Sequence, residues 1–74
     1  MSRVRLGLKV VEYHRDGEII IRQRVKILDD EGNLIKAPVI EIREKKKHDR
    51  EPLDEVKKRA EKLLEQKLRE YAGE

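Results

Sequence analysis

Two neighbouring His–carboxylate pairs, His14 with Asp16 and His48 with Asp49, are the residues of this chain whose types first suggest chemistry, as half of a metal site or of an acid–base pair. One imidazole and one carboxylate in a loop-like stretch arise often by chance, so both read as solvated loop histidines. The run Asp29-Asp30-Glu31 offers the oxygens that hard divalent cations take. It lacks the alternating ligands and closing Glu of a calcium loop, and a hairpin turn is expected there. No Gly-rich phosphate loop is present, Cys and Thr are absent, and Ser2 is the lone Ser, so no nucleophile–His pair or zinc spacing can be assembled. The chain therefore reads as not an enzyme, with no catalytic residue, metal, cofactor or small-molecule substrate expected.

Bases offer a different chemistry. Alternation places Arg3, Arg5, Lys9, Arg22, Arg24, Lys26 and Arg43 on one side of a sheet, against Glu18 and Glu41, and the run Lys45, Lys46, Lys47 extends the row. Such a face could neutralise phosphates, with Arg22 and Arg24 of the central strand as its main contacts. The bland reading is equally physical, because a solvent face must be polar and long basic side chains cover a β-surface well. The net charge is only +3, and Tyr13 is the one aromatic available on the strands, which argues against base-stacking modes of RNA or single-strand binding.

Positioning those residues falls to a short list of elements. Val4, Leu6, Leu8 and Val10 alternate with Arg3, Arg5, Gly7 and Lys9, the period of a half-buried strand over about 3–13 with its even side toward the core. The phase slips at Val11, which suggests a bulge or a strand end. Asp16-Gly17 marks a tight hairpin. A second strand over 18–28 places Ile19, Ile21, Val25 and Ile27 on the core side, interrupted by Gln23, whose amide needs partners if buried. A turn at Asp29–Asn33 leads to a third strand over 34–43, where Pro38 demands an edge position and Ile40 and Ile42 set the core side. A charged connection spans 44–51.

Pro52 opens a helix over about 52–72, with Asp54 and Glu55 in its first turn and Gly73 where it should stop. Leu53, Val56, Ala60, Leu63, Leu64, Leu68 and Tyr71 recur at three- and four-residue spacing, an amphipathic stripe. The expected fold is α+β: a three-stranded antiparallel β-meander, strand order 1-2-3, with one C-terminal amphipathic helix packed on one face (βββα). At 74 residues the chain has room for a single domain.

Composition narrows the setting. No apolar run approaches the ~20 residues of a membrane-spanning helix and no signal-peptide core is seen, so no membrane partner is expected. The lack of Cys fits the cytoplasm. Charged residues make up 47% of the chain, a bias found in hyperthermophile proteins and in computed designs, and it points to a highly stable domain. In element order and basic face the chain resembles the DNA-binding domains of the plant AP2 type and of some phage integrase N-termini, a resemblance of topology that carries over no residue. A meander leaves strand one unpaired on its outer side with no proline to block it, which opens self-association or partner binding by strand addition. Val11, Tyr13, Ile20, Leu28 and Val39, apolar on the expected outer face, would add to such an interface. The leading expectation is a non-enzymatic scaffold or protein-interaction domain, the alternative a nucleic-acid-binding module.

Overall fold

The computed structural model describes residues 3–72, the side chain of Ala72 excepted, so Ser2 and the expected helix stop at Gly73 lie outside it. An antiparallel sheet is formed by β1 (Arg3–Tyr13), β2 (Ile19–Leu28), β3 (Leu34–Lys36) and β4 (Val39–Glu44), and one helix, α1 (Leu53–Ala72), follows. β2 is central, with β1 along one side and both β3 and β4 along the other. The α+β architecture is the expected one, but the third strand is two strands. Pro38 has no N–H for the ladder and opens the gap between them, while its carbonyl still accepts from the Val25 N–H at 2.9 Å. The register therefore continues across the gap, with Ile27 opposite Lys36 and Arg24 opposite Val39.

Both hairpin turns have the same build. Gly17 N–H donates to the His14 carbonyl and His14 N–H to the Glu18 carbonyl; Gly32 to Asp29 and Asp29 to Asn33 repeat this one hairpin later. Gly17 and Gly32 are the only described residues at positive φ, 86° and 89°, which places each at the left-handed position that closes a three-residue loop. Asp16 is thus an ordinary turn residue and not one of two left-handed ones.

The sequence pattern misleads in β1. Register runs Leu6 opposite Val25 and then Lys9 opposite Gln23, so Gly7 and Leu8 together face Arg24 in a β-bulge. One extra residue turns every later side chain to the other face. Leu8 and Val10, expected in the core, are accordingly exposed, while Val11, expected outside, packs against the core. Leu6 stays on the helix side yet is 59% exposed. Gln23 is the device that closes the bulge: buried among aliphatics, its Nε2 donates to the Gly7 and Arg24 carbonyls, each at 3.0 Å. Gly7 fits the same spot because a Cβ there would stand 3.0 Å from Cγ of Arg24.

The core lies between β2, β4 and the apolar stripe of α1: Ile19, Ile21, Val25, Ile40, Ile42, Val56, Ala60 and Leu64. Ile19, Ile21, Val25 and Val56 are fully buried, and each such side chain contributes about 1.5–3 kcal/mol of transfer free energy. Leu68 and Tyr71 pack partly against this core, whereas Leu53 and Leu63 of the expected stripe remain more than a third exposed. Ile20 and Leu28, expected as exposed outer residues, are buried at 3% and 8%. Pro52 stands just before the helix and its carbonyl accepts from Glu55 and Val56. No described helix is long and apolar enough to cross a membrane.

Candidate functional site

One face of the sheet carries no helix, and its side chains follow from the register. Across β1, β2 and the β3–β4 edge the rows read Glu12–Ile20–Arg43, Val10–Arg22–Glu41, Gly7/Leu8–Arg24–Val39, Arg5–Lys26 and Arg3–Leu28–Leu34. Arg3, Arg5, Arg22, Arg24, Lys26 and Arg43 are therefore brought together as the sequence suggests. Lys9 is not. The bulge turns it to the helix side, where its Nζ donates to both oxygens of Glu61 at 2.8 and 2.9 Å.

The face divides into two ends. At one, Arg22 donates to Glu12 and Glu41, Arg43 donates to Glu41 at 3.2 Å and lies 3.8 Å from Glu18, and His14 lies 3.2 Å from Glu12. Hydrogen bonds from His14 and Arg22 hold the Glu12 carboxyl below the usual range, and Arg43 does the same for Glu41. Charge here is spent internally. At the other end Arg3, Arg5 and Lys26 have no carboxylate partner among the described residues, and Arg24 donates only to the Ala37 carbonyl, at 2.7 Å. Beside these bases stand Leu8, Val10, Leu34 and Val39, exposed by 75%, 40%, 58% and 47%.

The tri-lysine run belongs to neither end. Lys45 reaches Asp16 at 3.7 Å, the stem of Lys46 packs against Gly17 so closely that a Cβ there would meet it at 2.9 Å, and the Lys47 N–H donates to Glu51 at 2.9 Å. Arg59 of α1 completes the arrangement, donating to both oxygens of Glu51 and, at 2.8 Å, to the Lys45 carbonyl. The guanidinium holds the Glu51 carboxyl down to about 2. The connection is thus pinned to the helix and to the first turn.

The His14–Asp16 pair does not form as such, since His14 meets Glu12 and Asp16 meets Lys45. Asp16 accepts from the Glu18 N–H and the His48 carbonyl from the Glu51 N–H, as turn residues do. Asp29 spends its Oδ1 on the N–H groups of Glu31 and Asn33, and these bonds, Asn33 first, lower its carboxyl below the ordinary value. Among the described residues no three His, Asp or Glu side chains gather as a metal ion would require.

The remaining feature is the edge of β1. Its outer side pairs with nothing among the described residues over all 11 residues, and it exposes Leu6, Leu8, Val10 and Tyr13. α1 packs chiefly over β4 and β2 and reaches β1 less, with Glu61 holding Lys9. The sequence pointed to the edge but not to Leu8 and Val10 as its apolar residues. The missed signal was Gly7, a glycine inside a strand pattern, whose carbonyl accepts from the buried Gln23. No family model matches the chain, and neither a curated protein nor a solved structure shows significant similarity to it.

Proposed function

We propose that the chain is a non-enzymatic protein-interaction domain that takes an extended segment of a partner along the open edge of β1. One observation carries this reading: β1 offers an unpaired ladder without proline while showing four apolar side chains to solvent. A partner strand with apolar residues toward Leu6 and Tyr13 and acids toward Arg3 and Arg5 would match both sides. The probe is a synthetic peptide alternating Val with Glu, titrated into the labelled protein. Amide shifts and exchange protection confined to β1 are expected; no binding, or shifts centred on α1, would contradict the proposal. Agreement between pattern, turns and charge pairs fits a thermally robust chain, whether of hyperthermophile or designed type, and the lack of Cys fits work in the cytoplasm. Melting above about 90 °C is the expected result for such a chain.

A second reading rests on the uncompensated end of the bare face. Arg3, Arg5, Arg24 and Lys26 would neutralise phosphates of a duplex, without the stacking aromatics that single strands need. With four such contacts, affinity should fall on the order of a hundredfold for a fourfold rise in salt. Duplex DNA that stays unbound at low salt removes this reading.

A further inference from the structure

The exposed edge of β1 is complementary to itself, and we infer that the strand added to it belongs to a second copy of this chain, paired antiparallel about a two-fold axis at Lys9. This rests on the strand-addition reading and names its partner.

In an antiparallel pair, residues directly opposite each other share a face of the sheet. The bulge at Gly7-Leu8 changes which residues those are. Before it, Val4 and Leu6 lie on the helix side and Arg3 and Arg5 on the bare side; after it, Lys9, Val11 and Tyr13 lie on the helix side and Val10 and Glu12 on the bare side. With the bulge counted as one position, two copies centred on Lys9 place Leu6 opposite Val11, Val4 opposite Tyr13, Arg5 opposite Glu12, and the bulge opposite Val10. Every pair matches in face, and symmetry makes each occur twice.

The chemistry of these pairs selects this register. Leu8, Leu6, Tyr13 and Val10, exposed by 75%, 59%, 56% and 40%, all gain apolar neighbours. Arg5, without a carboxylate partner among the described residues, gains Glu12 of the second copy, a carboxylate that already accepts from Arg22 of its own chain. The two Lys9 residues at the axis are like charges, but each is already paired with its own Glu61 at 2.8 Å. Of the two neighbouring face-matched registers, the one centred on the bulge sets Leu6 against Lys9 and Arg3 against Glu12 and leaves Tyr13 uncovered, and the one centred on Val10 sets Lys9 against Val11 and the bulge against Glu12. The opposite edge of the sheet offers no such ladder, since Pro38 splits it into the short strands β3 and β4. Both helices would lie on the same side of one continuous sheet.

Charge reversal tests the register. Wild-type protein should be a dimer by light scattering. Arg5→Glu alone sets like charges opposite and should weaken the dimer by about tenfold or more, with circular dichroism unchanged; Glu12→Arg alone should weaken it likewise while also removing the intrachain pair with Arg22. An equal mixture of the two variants restores Arg–Glu pairs at both positions and should dimerise again. Arg3→Glu should leave the dimer intact. A second readout avoids charge: because the chain has no Cys, Leu6→Cys and Val11→Cys variants mixed under oxidation should cross-link to each other in preference to themselves. A wild-type monomer at high concentration overturns the inference, as does a dimer indifferent to Arg5→Glu. Loss on Arg3→Glu instead overturns the register. In each case the peptide titration decides separately whether the edge binds strands at all.

Discussion

Along the β3–β4 edge, Pro38 removes a donor, the register shifts at Ile35, and Glu41 and Arg43 are drawn into ion pairs across the face. Along the β1 edge no proline interrupts the ladder, the one register shift is the Gly7-Leu8 bulge, and Leu6, Leu8, Val10 and Tyr13 stand in solvent. Unpaired edges invite pairing, and proteins commonly blunt them with proline, bulges or charge. One edge of this sheet is blunted; on the other the bulge remains open to pairing and only turns apolar residues outward. That contrast is the reason for assigning interaction to β1 and structure to the rest.

The largest expected effect comes from the strand both edges share. Replacing Ile21, fully buried on β2, with Ala should cost about 2–5 kcal/mol in denaturant unfolding and loosen both edges together. If β1 alone were lost, the two edges would not depend on one core. Gln23→Ala addresses β1 specifically, since it strips the amide that closes the bulge. A loss of about 1–3 kcal/mol is expected, with chemical-shift changes concentrated between Leu6 and Lys9. Unchanged shifts there would show that the bulge does not need Gln23.

Placement of the bulge also marks how far the sequence could be read. In β2 alternation held from Ile21 to Ile27 except at Gln23, so most of its core residues were legible, whereas Ile20 and Leu28 were read as exposed and are buried. Pro38 announced an edge, and the edge is where it lies, although two strands take the place of one. In β1 the phase slip was visible at Val11 but its cause sat earlier, at Gly7-Leu8, so Leu8 and Val10 were read inward and Lys9 outward. Lys45 and Lys46 looked like a basic extension because their partners, Asp16 and Gly17, lie a hairpin away in sequence. The Glu12–Arg22–Glu41 pairing was likewise hidden, since it depends on which face Glu12 occupies.

The turns give a smaller test. Gly17→Ala meets both the strain of positive φ and the stem of Lys46, while Gly32→Ala meets the strain alone. Both should destabilise by roughly 1–2 kcal/mol or less from strain, with Gly17→Ala the worse of the two in thermal unfolding. Equal losses would mean that Lys46 gives way freely.

Smallest is the response to acid. Glu51 titrates at about 2 in the fold against an ordinary 4.5, so the unfolded chain binds protons first and stability rises with pH through that window. The contribution is present in full above 4.5 and is lost as pH falls toward about 2. Glu51→Gln should flatten the acid limb of a melting-temperature profile while leaving β1 association unchanged. An acid limb of the same steepness in this variant would remove Glu51 from the account.

Amide hydrogen exchange, measured residue by residue at low and high protein concentration, compares the two edges in one experiment. The account predicts that protection of β1 amides between Val4 and Tyr13 rises with concentration while β4 amides stay as they were. β1 protection that is independent of concentration, or a rise confined to β4, would contradict it.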